Sequence, residues 1–369
     1  MKLLYKPDWF TAKSRIEAFW NGEDIGRPFV SITAPSGERK QIEYTGAFKE
    51  KVLDYDYRIR DEEETLKTTY YGGEAVPCVW PDFSPDFTAA CIGGDLDISD
   101  RPADAPIGGA FWSKHILNDW EKDLPEIKFN PNSIWFKRGV EYTKLAVLRS
   151  RGKYLVESLD VDGGMDTAAG LRGAERLCMD LLDCPENVGV LLDKIREGNR
   201  QVVDNLYSLV KGNQGGMVNT YKIYAPGKTY NMRSDFSYMI HPDLFREIVL
   251  PYMIKESETA DYIIFHTHTE DIESNFKNRM KYLDVILDIP RVHAVEWYCP
   301  NSTLEARIPG IKRIIEKGKI AVTAGSPDQM LELTKRLDKT ERTRMLYIVW
   351  ASSVKETEEF LLKLEHLCK

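Results

Sequence analysis

The feature that most constrains this chain is a rhythm. From Tyr71 to the C-terminus, short apolar runs rich in Val, Ile and aromatic residues alternate with longer amphipathic stretches for about 300 residues. Strands are expected at 75–80, 154–159, 215–220, 260–265, 293–297, 319–323 and 345–350. Helices are expected between them, at 135–149, 166–183, 185–210, 242–259, 271–281, 303–317, 327–337 and 354–367. Such alternation calls for a parallel sheet with helices packed outside it. An open doubly wound sheet usually carries a glycine-rich phosphate loop after its first strand, and neither G-x-G-x-x-G nor a Walker sequence occurs here. The expectation is therefore an α/β protein with a closed (β/α)8 TIM barrel over residues 71–369. Residues 1–70 are expected as an N-terminal α+β extension packing on the barrel: an amphipathic helix at 9–20, a strand at 29–33 and a solvated helix at 54–67.

Polar residues recur after the expected strand ends: Trp80 and Asp82, Asp160 or Asp162, Asn219, His266 with His268, Glu296, and Trp350 with Ser352. On a barrel these ring one mouth, where βα loops place binding and catalytic groups. The stretch 260–269, ADYIIFHTHT, is the most pointed of them. Residues two apart in a strand share a face, so His266 and His268 point the same way just where the strand ends. Two of the six histidines of the chain fall there. Tyr221, Tyr224, Tyr230, Trp297, Tyr298 and Trp350 also follow strand ends, and together they suit a flat or apolar organic ligand.

Composition excludes several classes. A net charge of −8 with mixed signs offers no basic stripe for nucleic acid. No apolar run approaches the length of a membrane span, and the N-terminus is unlike a signal peptide, so a cytoplasmic protein is expected. The cysteines (Cys78, Cys91, Cys178, Cys184, Cys299, Cys368) contain no C-x-x-C, which suggests neither a zinc ribbon nor a disulfide framework. Asp160-Val161-Asp162-Gly163-Gly164 hints at a calcium loop but lacks the glutamate such a loop needs.

Two segments resemble a known family. Leu171-Arg172-Gly173-Ala174-Glu175 with Leu181-Leu182-Asp183-Cys184-Pro185-Glu186, and Asp235-Phe236-Ser237-Tyr238 with Phe245-Arg246-Glu247 and Leu250-Pro251-Tyr252, resemble motifs of the uroporphyrinogen decarboxylase (URO-D) superfamily. The likeness is nearest its divergent corrinoid-methyltransferase-like branch, sometimes labelled trimethylamine corrinoid proteins, which the Trp-rich opening helix and Thr33-Ala34-Pro35 also resemble. It implies a TIM barrel, a small-molecule substrate, a corrinoid carried on a partner protein and a possible homodimer. Two departures stand out. The arginine-rich N-terminal run of the decarboxylases is absent, and the H-x-C of the zinc methyltransferases reads His266-x-His268, with no cysteine after the last strand.

Three chemistries follow from these residues. The leading expectation is methyl or other one-carbon transfer, with His266, His268 and Glu296, and Cys299 beside them, as ligands of a zinc ion. The second is metal-free, decarboxylase-like acid/base catalysis, with Asp235 and Tyr238 from the matched motif and His266 as proton carrier. The third is a non-catalytic ligand-binding barrel. A metal-dependent hydrolase is disfavoured because its H-x-H belongs on the first strand. In each reading Trp80, Asp82, Asn219, Tyr221, Tyr224, Trp297 and Trp350 are the candidate ligand contacts.

Overall fold

The computed structural model describes residues 2–161, 163–267, 276–298 and 302–369. Its centre is a seven-stranded sheet. Phe29–Pro35 (β1), Thr69–Gly73 (β2), Cys78–Val79 (β3), Leu155–Val156 (β4), Met217–Val218 (β5), Tyr224–Ala225 (β6), Thr229–Met232 (β7), Tyr262–Phe265 (β8), Ala294–Glu296 (β9), Ile320–Gly325 (β10) and Met345–Trp350 (β11) are the strands that position the site. The large sheet runs β2-β1-β11-β10-β9-β8-β7; only the β1–β2 pairing is antiparallel. Beside it, β3 pairs in parallel with β4, a parallel bridge joins Glu157 to Val218, and β5 folds back on β6 as a hairpin. The protein is thus a mixed α/β fold around a mostly parallel sheet. Among the described residues no ladder joins the β3–β4 pair to the large sheet.

The segment 1–70, expected as a layer outside the sheet, supplies one of its inner strands. β1 lies between β2 and β11, with Phe29 opposite Leu346 and Thr33 opposite Trp350. No local pattern announces this, because the partner strand lies more than 300 residues further along the sequence.

Two apolar cores divide the strands by parity. Val30, Ile32, Ile263, Phe265, Val295, Tyr347 and Val349 join the outer core beneath the helices. Their alternates, Phe29, Cys78, Leu155, Val218, Ile264, Ala294, Ile320, Val322 and Leu346, form a second, inner core. The period of two that makes a strand two-faced sends one face to each.

A helix over Trp9–Trp20 (α1) seals the inner core. Trp9, Ala12, Ile16, Phe19 and Trp20 recur at helical spacing and are all buried in it. Gly22, at φ +81°, takes the chain out of the helix, a conformation that costs glycine little. The Trp9 ring meets Tyr224 edge-on at 5.2 Å, and Trp20 Nε1 donates to the Tyr224 carbonyl at 3.0 Å. A buried ionic latch holds this end: Glu74 accepts two bonds from Arg27 at 2.9 Å, one from the Val30 N–H at 2.8 Å, and pairs with Arg15 at 3.1 Å. Each charge of the latch meets its opposite, which is the condition for burying charge at all, although Arg27 Nε lacks a partner among the described residues.

Candidate functional site

The other end of the inner face changes character. After Ile264 the next inward position of β8 is His266, and after Ala294 the next inward position of β9 is Glu296. Because β8 and β9 are adjacent and parallel, the two side chains arrive side by side at their carboxyl ends. His266 Nδ1 and Glu296 Oε2 are in direct hydrogen-bond contact. A third group comes from the β5–β6 hairpin: the Tyr221 hydroxyl donates to Glu296 Oε2 at 2.6 Å and lies 2.8 Å from His266 Nδ1. Thr267 Oγ1 donates to the Glu296 carbonyl at 2.5 Å and ties the two strand ends together.

The proton inventory follows. An ionised Glu296 only accepts, so it takes the Tyr221 O–H and the His266 Nδ1–H together, which assigns the basic lone pair of the imidazole to Nε2. Burial first, and then the Glu296 charge, hold the Tyr221 phenol well above its ordinary range, so it stays a neutral donor.

The hairpin that delivers Tyr221 is tightly built. Asn219 Oδ1 accepts from the main-chain N–H groups of Tyr221 (3.0 Å) and Ile223 (3.1 Å), and the Lys222 N–H donates to the Asn219 carbonyl at 2.8 Å. Lys222 has φ +58° and is the one non-glycine in the left-handed region among the described residues.

Around this centre lies an unusual density of ionisable groups. Arg233, the inward residue after Asn231, pairs with Asp160. Arg58 donates to the Val52 carbonyl at 3.1 Å and the Asp82 carbonyl at 2.6 Å, and its guanidinium stacks 4.8 Å from the Tyr142 ring centre. Burial drives Glu62 up to about 7, opposed by its bond from the Trp80 N–H at 2.8 Å. Burial, and next the Asp160 charge, drive Asp82 up to about 7. Glu157, wholly buried one step beyond Leu155 on the inner face, is pushed well above the carboxylate range by burial, and Cys78 Sγ donates to it at 3.4 Å.

The remaining expected residues fall in several places. Trp80 and Asp82 line a cleft of about 400 Å³ together with Glu62, Arg58, Lys51 and residues 104–108. Asp235 lines a second cleft of about 400 Å³, where Asp166 accepts from the main-chain N–H groups of Asp235 (2.9 Å) and Phe236 (2.8 Å) and Arg233 forms part of the wall. Tyr238 stacks between Arg279, 4.0 Å from its ring centre, and Tyr282 at 4.9 Å. Trp350 is half exposed at the end of β11, 6.5 Å from Tyr298. Ser352 instead bonds Glu356 at the start of the last helix. Asp162, His268 and Cys299 lie outside the described residues.

Three expectations need correction: Tyr230, counted among the aromatics of the mouth, is buried in the outer core and donates to Glu256 at 2.7 Å. Trp297, placed at the mouth by sequence, is the outward alternate of Glu296: it is buried in the outer core against Gly310, where an added Cβ would fall 2.2 Å from its ring. Tyr224 is wholly buried at the sealed end against Trp9. Adjacent residues of a strand cannot both face the cavity, and parity applied to β9 would have removed Trp297. What sequence reading missed is Lys222, Arg233, Glu157 and Glu62. Arg233 and Glu157 continue the inward parity of their strands and were legible on that signal; Lys222 and Glu62 were not.

Of the four expected zinc ligands, His266 and Glu296 lie among the described residues. An imidazole nitrogen and a carboxylate oxygen of the right chemistry meet, but they satisfy one another, and among the described residues no group of three His, Cys, Asp or Glu converges. The described residues do not by themselves make a metal site.

The class these features define is a mixed α/β protein with a polar mouth at the carboxyl ends of its parallel strands. No protein-family model matches the chain, and no curated protein matches it. Among solved structures, a methyltransferase from Methanosarcina mazei aligns with 97% of this chain and 99% of its own, at a TM-score of 0.62 and 11% identity. The likeness is one of fold. No helix among the described residues is long and apolar enough to cross a membrane.

Proposed function

We propose that this chain is an enzyme that moves a methyl or other one-carbon group between a donor and a small organic acceptor bound at the mouth, with Tyr221, His266 and Glu296 as its proton-handling centre. One observation carries this reading: three groups from three separate segments, the β5–β6 hairpin, β8 and β9, meet within hydrogen-bond distance at the carboxyl ends of parallel strands. The fold shared with a methyltransferase selects the reaction class by analogy. We further propose that β1, β3, β4, β7, β8, β9, β10 and β11 close into a (β/α)8 barrel, which the parallel pairing of β7 with β8 and the common inner core of the other seven support.

In the acceptor half-reaction an X–H group, such as a thiol, gives its proton to His266 Nε2 as its lone pair attacks the methyl carbon. The new X–C bond forms as the donor–carbon bond breaks, and the donor leaves with the bonding pair. Glu296 stabilises the imidazolium through Nδ1–H, and Tyr221 holds the carboxylate in register. The test uses methylcobalamin as methyl donor and a small thiol as acceptor, followed by loss of donor absorbance. His266→Ala should lower the transfer rate by about 100-fold or more, the usual worth of a positioned acid/base. A parent protein that transfers nothing, or a His266→Ala protein that works at the parental rate, ends this reading.

A further inference from the structure

Lys222 is the least explained residue of this mouth. Its left-handed backbone is strained for a residue with a Cβ, whereas glycine would occupy it without strain. Its side chain is solvent-accessible, and among the described residues its ammonium has neither a hydrogen bond nor an ion pair. The neighbouring cations are committed, Arg58 to two carbonyls and Arg233 to Asp160. Cys78 from β3, and against burial Glu157 after β4 and Glu62 from the helix Tyr55–Lys67, raise the lysine further above its ordinary range, so it is charged at any physiological pH.

A buried N–H donor of the same turn also lacks an acceptor among the described residues: Asn219 Nδ2. Asn219 is the residue that shapes the Lys222 turn. An unpaired buried donor costs free energy, and one in the turn of an unpaired ammonium asks for an acceptor from outside the protein.

We infer that Lys222 anchors a carboxylate carried by the small organic ligand of this mouth, with the side-chain amide N–H of Asn219 as a neutral second donor. The inference rests on the proposed function for the location of the ligand and adds its chemical class. A single negative charge is specified. Glu157 and Glu62 lie within electrostatic reach of the ammonium, so a dianion meets more repulsion than a monoanion, while burial, which pushes both acids up, keeps that repulsion small for a single charge. The backbone strain holds the cation at the hairpin tip, beside Tyr221, where a bound carboxylate leaves the rest of the molecule facing His266.

The experiment is a calorimetric titration of the full chain with acetate, its uncharged isostere acetamide, and inorganic phosphate. It compares the parent with Lys222→Gly, Lys222→Arg and His266→Ala. Glycine removes the cation and suits the backbone, so loss of fold is not the expected outcome, and a melting temperature at or above the parental one verifies it. Acetate should bind saturably to the parent and to Lys222→Arg, and at least about tenfold more weakly to Lys222→Gly, the worth of one charge-assisted hydrogen bond. Acetamide should not bind. Acetate binding that survives in His266→Ala separates this inference from the catalytic reading, which only the transfer assay addresses. The inference is overturned if the parent does not bind acetate, if Lys222→Gly binds it as tightly as the parent, or if phosphate binds more tightly than acetate.

Discussion

The two ends of the inner face are made by the same strands in the same register, yet they are spent differently. At the sealed end Trp9, Phe19, Trp20 and Tyr224 pack ring against ring, and the charges of Arg15, Arg27 and Glu74 close on one another. At the open end burial pushes Glu62, Asp82 and Glu157 above the carboxylate range, Trp80 Nε1 and Asn219 Nδ2 lack partners among the described residues, and Lys222 sits in a strained backbone. Stability is collected where contacts are satisfied, and the open end draws on it. Natural sequences break local rules mostly where function requires it, and here the breaks gather at one end.

This contrast can be broken by substitution, and the largest effect is expected at the sealed end. Trp9→Ala empties an aromatic slot between α1 and Tyr224 and should lower unfolding free energy by about 3–5 kcal/mol in urea titration. A loss under about 1 kcal/mol would mean that α1 merely rests on the sheet.

At the open end, substitutions should cost activity rather than stability. Tyr221→Phe keeps the ring and removes the hydroxyl between His266 and Glu296, so transfer should fall about tenfold, the worth of one hydrogen bond to a charged group, with the melting temperature within a few degrees of the parent. Equal losses in both ends' readouts would erase the distinction.

The acids sharpen the comparison through pH. Asp82 is raised from 3.8 to about 7, so the folded state holds a proton that the unfolded chain releases. Its stabilising preference for the protonated form is complete below about 3.8 and is lost as pH rises through 7. Asp82→Asn should therefore be more stable than the parent at pH 8, and the difference should shrink as pH falls to 4. An Asp82→Asn protein less stable than the parent at pH 8 would place Asp82 among satisfied groups. The smallest effect is expected for Lys222→Gly: a gain of about 0.5–1 kcal/mol from relief of the left-handed backbone.

Much of this was readable in one dimension. Apolar runs at 260–265, 319–323 and 345–350 appear as strands at Tyr262–Phe265, Ile320–Gly325 and Met345–Trp350, because alternation and branched side chains are local causes. His266 and Glu296 were legible for the same reason, each being the first polar residue after an inward apolar one. Trp297 and Tyr224 were misplaced because an aromatic residue near a strand end was counted by position and not by face.

What the sequence alone determined is the alternation of elements and, through the period of two, which side chains of a strand share a face; these follow from backbone geometry within a few residues. Tertiary structure decided the rest. That β1 enters the sheet next to a strand at the far end of the chain, that α1 seals the inner core, and that a hairpin tip carries Tyr221 to His266 while leaving Lys222 without a partner among the described residues are outcomes of long-range packing. No local pattern encodes them, because the free energy that selects each is released only when segments distant in sequence bury surface against one another.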